Sequence, residues 1–230
     1  DRPDRIEFSP DQNWYSNVHR EVYTAIAASL TTAYPEHAFY PVNESPRVDS
    51  TQPHIWVIDP LDGFDNFSTG IGLFTLTAVL YIHGKPTISI IYAPIMDEIF
   101  TAVLGSGAQV NGKRMRTKKG VENSLLSACL YNTEKIHSDL SSIIPPAILQ
   151  TPCRNLGCLS LSLAYHASGR FLFLLASDFN KPSLTAAHLL AIEAGSVGKY
   201  FTLTESETLC CLFSAPGLLP KSFYQSIKNG

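Results

Sequence analysis

Two aspartates three residues apart, Asp59 and Asp62, follow the apolar run Ile55-Trp56-Val57-Ile58 and lead into Gly63. Carboxylates brought together on a tight turn can converge on one hard cation such as Mg²⁺, and the Leu61 carbonyl between them can add a neutral oxygen. The backbone N–H groups of Gly63 and Phe64 would then face an anion, a phosphate above all. Taken alone, Asp-Pro followed by Asp-Gly is ordinary turn punctuation. The motif acquires chemical meaning only from its surroundings.

Other residues with catalytic potential form no comparable set. The seven histidines are scattered, and His166 and His188 lie among apolar neighbours that suit core or boundary positions. Five cysteines are an odd count; Cys153 and Cys158 lack a second pair at zinc spacing, and adjacent Cys210-Cys211 suit small buried hydrophobes. That usage points to a reducing, cytoplasmic compartment. Gly105-Ser106-Gly107 lacks the strand–loop–helix context of a nucleotide loop and reads as a hairpin connection, and no Gly-x-Ser-x-Gly elbow occurs. A formal net charge of −3 gives no electrostatic footing for a nucleic acid or an anionic membrane. The basic stretch Lys113–Lys119 after Asn111-Gly112 reads as a solvated loop. No apolar run is long enough to span a bilayer, and no signal-peptide pattern opens the chain.

The elements that must position the motif follow from periodicity. Val18, Val22, Ile26 and Leu30 recur every fourth residue, predicting a helix over Val18–Ala33 with Ser16 or Asn17 as cap and Pro35 as its stop. Ile55–Ile58 reads as a buried strand delivering the turn. Strands over Leu73–Tyr81, Pro86–Tyr92 and Glu98–Val103, with turns at His83-Gly84 and Asn111-Gly112, form an antiparallel meander. Beyond Gly120 the pattern alternates: strand Ser124–Tyr131, helix Cys158–Ser168, strand Phe171–Ala176, helix Ser183–Ala194, strands Val197–Phe201 and Leu209–Phe213, and a last helix from about Leu218. An α+β or α/β layered sandwich fits, with residues 1–150 as an N-terminal half and 151–230 as a C-terminal half, hinged near Ser141–Pro152.

Around the motif, Trp56-Val57-Ile58-Asp59-Pro60-Leu61-Asp62-Gly63 with Asn66-Phe67 and Gly70 resembles the signature of the inositol monophosphatase family. Tyr34-Pro35-Glu36-His37 and Glu44-Ser45 match upstream, and Tyr92-Ala93-Pro94, Asp97-Glu98 and Asn111-Gly112 match downstream. Gly157, Gly169-Arg170-Phe171 and Glu193-Ala194-Gly195 match the second half. The resemblance runs from about Val18 to the C-terminus. It implies an αβαβα layered sandwich, a homodimer, and Mg²⁺-dependent hydrolysis of inositol, sugar or nucleotide monophosphates, in which bound Mg²⁺ activates a water for in-line attack. On this chain it places metal and catalytic roles on Glu44, Asp59, Asp62 and the Leu61 carbonyl, and phosphate or substrate contacts on Gly63, Phe64, Asp65 and Gly157.

The departures from the family fall on those same functional positions. The first glutamate of the family's upstream pair is Asn43, although a one-residue slip after Tyr40-Pro41-Val42 would bring Glu44 into its place. The water-orienting threonine is Phe64, with Asp65 beside it. The second-site aspartate is Ser183, an aspartate near the start of the first helix is His19, and a glutamate contacting inositol is Ala176. The family also carries a helix before the segment matching Val18–Ala33, where this chain has only Asp1–Asn17. A missing helix there would expose apolar surface that a partner could cover. The resulting expectation is a degenerate or weakly active phosphatase that retains a pocket for a small phosphorylated metabolite. Two alternatives stand beside it: an active Mg²⁺-dependent phosphomonoesterase that recruits Glu44, Asp65 and Asp178, and a non-catalytic binding protein.

Overall fold

Burial on both faces is what makes the motif strand nearly all apolar. In the computed structural model, which describes residues 16–43, 52–117, 128–131, 152–177, 181–202 and 209–217, β2 (His54–Asp62) lies between two helical layers. Trp56 and Ile58 point to one side, where Leu80 and Tyr23, Ile26 and Leu30 of α1 (Asn17–Ala33) cover them. Ile55 and Val57 point to the other side, against Val79 and Ala186. Burying each of these large side chains contributes about 1.5–3 kcal/mol, so the strand that carries the motif is strongly held. At its first turn α1 is capped reciprocally by Ser16 and His19, the exchange that satisfies two otherwise orphaned backbone donors.

A seven-stranded sheet runs in the order β1-β2-β3-β4-β5-β6-β7. Its members besides β2 are β1 (Ala38–Pro41), β3 (Thr75–Ile82), β4 (Lys85–Ala93), β5 (Glu98–Val103), β6 (Gly107–Val110) and β7 (Lys113–Met115). The meander is as expected from the turn residues. The exception is β1, which joins β2 in parallel and is too short and polar at its flanks to be read from pattern. Between Val103 and Gly107 a hairpin is held by Glu193, whose carboxylate accepts the Gly105 and Gly107 amides at 2.8 Å each.

The second sheet has the order β11-β12-β10-β8-β9, with β8 (Ala128–Tyr131), β9 (Cys153–Arg154), β10 (Phe173–Ser177), β11 (Val197–Thr202) and β12 (Leu209–Ser214). Helices α3 (Leu159–Ala167) and α4 (Lys181–Glu193) lie between the sheets. Ile91 and Phe100 from the first sheet, Leu161 and Leu190 from the helices, and Leu174 and Phe213 from the second sheet share one core. Helices flanked this way must be apolar nearly all round, and in α3 every residue but Tyr165 is buried. The layered α+β sandwich expected from the sequence is thus the observed fold.

Local boundaries shift for identifiable reasons. The strand expected at Phe171–Ala176 starts instead at Phe173, because the Arg170 and Phe171 amides turn back to the Tyr165 carbonyl. Helix α4 starts at Lys181 rather than Ser183, since Pro182 is tolerated in a first turn. Residues 124–127 of the expected strand, the hinge segment 141–151, the last helix from Leu218, and Asp1 to residue 15 lie outside the described residues, as do Glu44 and Asp178. Among the described residues no helix is long and apolar enough to cross a membrane.

Candidate site at the Asp59–Asp62 bulge

A regular strand points residues three apart to opposite faces. The motif escapes this because it is not a turn after a strand, as the sequence suggested, but a bulge within one. Asp59 pairs with Thr77 and Asp62 with Thr75, so β2 spends three residues where β3 spends two. That extra residue returns both aspartates to the face occupied by Thr75 and Thr77. Pro60, which cannot donate to a ladder, sits inside the bulge where the ladder is already broken. The register thus sets both aspartates on one face of the strand by a bulge and not by a turn.

Each group at the bulge already has partners within the protein. Asp59 is buried, and its Oδ1 accepts the Leu61 amide at 3.2 Å. Asp62 Oδ2 accepts the Ser160 amide at 2.7 Å, at the start of α3. The Asp62 carbonyl accepts the Cys158 thiol at 3.4 Å, and Thr75 Oγ1 lies 3.5 Å from the same sulfur. Burial first, then the Asp62 charge, pushes the Cys158 thiol well above its ordinary pKa, which disfavours the thiolate that a nucleophile needs.

His19, which the resemblance sets in the place of an aspartate, is buried beside the bulge. Its Nδ1 accepts the Ser16 amide at 3.4 Å and lies 2.9 Å from Ser16 Oγ. A backbone amide only donates, so the ring proton belongs on Nε2. Burial lowers the His19 pKa, opposed by a hydrogen bond with the Leu61 backbone. A bond that favours the protonated ring must come from an acceptor, so the partner is the Leu61 carbonyl. The imidazole also lies against the Phe64 ring, centroids 5.3 Å apart.

Gly63 takes a left-handed conformation, φ +89°, and begins the five-residue helix α2 (Phe64–Ser68). Asp65 is exposed, and its carbonyl accepts Ser68 and Thr69 hydroxyls within that turn. Asn66 Nδ2 donates to the carbonyls of Leu73 and Leu156, both at 2.7 Å, tying the bulge to the approach to α3. Gly157 packs so closely that a Cβ there would lie 2.9 Å from that nitrogen. Asn66→Ala is expected to lower unfolding free energy by about 2 kcal/mol, because two carbonyls lose their donor; urea titration checks this.

Asn43 is exposed, Ala176 is buried in β10, and Ser183 lies in the first turn of α4. Sequence reasoning placed Ser16 as a candidate cap of α1 but not as the partner of His19, and it missed Thr75, Cys158 and Ser160. Nothing in Leu159-Ser160-Leu161-Ser162 marks one serine amide as an aspartate's partner. Among the described residues no three His, Cys, Asp or Glu side chains group so as to hold a metal. A Mg²⁺ cluster needs several charged oxygens. Here the described donor set holds two carboxylates, both already accepting backbone N–H bonds, and the Leu61 carbonyl, bonded to His19. These residues do not fit such a cluster.

Comparison with known proteins agrees with the architecture. Residues 8–221 match the family model described as the inositol monophosphatase family. Nus factor SuhB of Salmonella typhimurium is 30% identical over 208 residues, covering 87% of this chain and 77% of that protein. Its Escherichia coli counterpart is 29% identical over 207 residues, with the same coverage. The crystal structure of the extragenic suppressor protein suhB from Bartonella henselae superposes with a TM-score of 0.75 at 25% identity, covering 92% of this chain and 84% of that one. An IMPase/NADP phosphatase complexed with Mg²⁺ and phosphate superposes with a TM-score of 0.72 at 19% identity, covering 92% and 82%, and so speaks for the fold alone. By signature, fold and extent of match, the chain belongs to the inositol monophosphatase family.

Proposed function

We propose that this protein is a degenerate phosphatase of its family, which keeps the pocket scaffold for a small phosphorylated metabolite and has lost effective hydrolysis. One observation carries the reading: the skeleton of the motif is retained while the groups that would charge it are replaced. The bulge, left-handed Gly63 and the Asn66 tie all remain. At the positions that resemble ligands and the water-orienting hydroxyl stand His19, Asn43, Phe64 and Ser183. Phe64 offers no hydroxyl to orient a water and places an aromatic ring beside His19. Loss of several anionic ligands removes most of the field that would gather Mg²⁺ and stabilise transferred charge.

The test is a pair of measurements on the purified protein. With excess Mg²⁺, turnover of inositol, sugar and nucleotide monophosphates is expected below ~1 s⁻¹, the low end for ordinary enzymes. Thermal shift against the same esters is expected to show stabilisation by at least one of them, since a ligand of the native state raises Tm. Turnover at or above that rate establishes the active-phosphomonoesterase alternative instead. If no ester raises Tm, the pocket reading fails and a purely protein-binding role gains. That second reading draws on the relatives' name, since Nus factor SuhB is the name of a factor and not of a phosphatase.

A further inference from the structure

We infer that Asp62 and His19 form a protein-made clasp, which holds the bulge to α1 and α3 by N–H donors where a cation would otherwise draw the same oxygens together. The first amides of a helix have no partner within it. Cys158, at the cap position of α3, supplies no side-chain cap bond. The missing acceptor arrives from the other sheet: Asp62 Oδ2 takes the Ser160 amide at 2.7 Å. A carboxylate at that end also meets the positive pole of the helix. The Cys158 thiol adds a second bond, back to the Asp62 carbonyl. Asp62 is thus the cap that α3 lacks locally.

His19 does the corresponding work on the other side. Its Nδ1 is taken by Ser16 at the start of α1, and its remaining N–H serves the Leu61 carbonyl. Phe64 closes over the ring at 5.3 Å. Helix α1, strand β2 and helix α3, from three successive layers, therefore meet at Leu61-Asp62, where the Asp62 carbonyl and Oδ2 accept from Cys158 and Ser160 and the Leu61 backbone bonds His19. This disagrees with a metal-holding role for the same atoms. It is independent of whether the pocket accepts a metabolite, because it concerns what holds the bulge and not what enters it.

The two roles make opposite demands on Asp62. A cation needs its negative charge, whereas a cap needs only an acceptor oxygen, which asparagine also provides. Thermal unfolding of the wild type, Asp62→Asn, Asp62→Ala and His19→Ala, each with chelator and with excess Mg²⁺, separates them. The clasp predicts a wild-type Tm that is the same in both media. It predicts a loss of roughly 2–8 °C for Asp62→Ala, and less than half of that loss for Asp62→Asn. His19→Ala is expected to lower Tm in both media alike. The clasp is overturned if Mg²⁺ raises the wild-type Tm and Asp62→Asn abolishes that rise as fully as Asp62→Ala. It is also overturned if neither Asp62→Ala nor His19→Ala lowers Tm. A metabolite-induced Tm shift in the wild type is read separately, so failure of the pocket leaves this result intact.

Discussion

Gly63→Ala is expected to lower Tm by roughly 6–12 °C, the shift that about 3 kcal/mol produces in a chain of this size. Two costs add. The first is the left-handed backbone, φ +89°, worth about 1–2 kcal/mol for a residue with a side chain. The second is space: a Cβ there would lie 2.8 Å from the Leu73 carbonyl oxygen and 3.0 Å from Cys158 Cβ. A backbone carbonyl in a strand approach cannot swing aside as a surface side chain does, so about 1–3 kcal/mol of overpacking follows. Gly84 is the internal control. It shares the sign of φ at +76° and has nothing within 4 Å of its missing Cβ, so Gly84→Ala carries only the conformational cost. Calorimetry of both variants isolates the steric share, and equal losses would show that the close approach at Gly63 costs nothing.

Acid is expected to destabilise the fold through His166. This ring is fully buried in α3; burial pulls its pKa to about 4, opposed by the bond with the Phe171 carbonyl. Nδ1 lies 3.0 Å from that carbonyl and donates to it, while Nε2 has no partner. The folded chain therefore refuses a proton that the unfolded chain accepts near pH 6.5. The native state has its full advantage above that pH and loses it progressively as pH falls from 6.5 to about 4. The span corresponds to about 3 kcal/mol. His19 and His188, also lowered by burial, act in the same direction. His166→Asn keeps a donor for the Phe171 carbonyl and does not titrate. Urea midpoints across this range are expected to fall more steeply for wild type than for the variant; parallel curves would sink the assignment.

How much of this was legible in the sequence depended on whether local pattern or distant packing decides each feature. The fourfold spacing of Val18, Val22, Ile26 and Leu30 placed α1 to within a residue of its start, because one helical face packs on one sheet. Glycine and asparagine at His83-Gly84 and Asn111-Gly112 placed the hairpins for an equally local reason: His83, Gly84, Asn111 and Gly112 all take positive φ. The bulge in β2 was not legible. Asp-Pro-Leu-Asp-Gly has the composition of a turn, and only the partner strand's count of residues reveals an extra one. The clasp was half legible. His19 stood out against the family pattern, but its partner Leu61 and the Asp62–Ser160 bond join residues far apart in the chain. No periodicity encodes such a meeting. Strand β1 escaped notice because four residues ending in proline carry too little pattern.

The way the seven-stranded sheet stops at each end has a bearing on solubility. Among the described residues one border is β1, four residues long and closed by Pro41, which brings no N–H of its own. The opposite border, β7, is three residues long and presents Lys113 and Arg114 to solvent. A foreign strand adding to either margin would gain only a few main-chain bonds, and at β7 it would meet two cations. Short, charged or proline-closed margins discourage the ribbon-like stacking that long bare ones invite. A broad sheet can in this way remain the frame of a single molecule and not the seed of an aggregate.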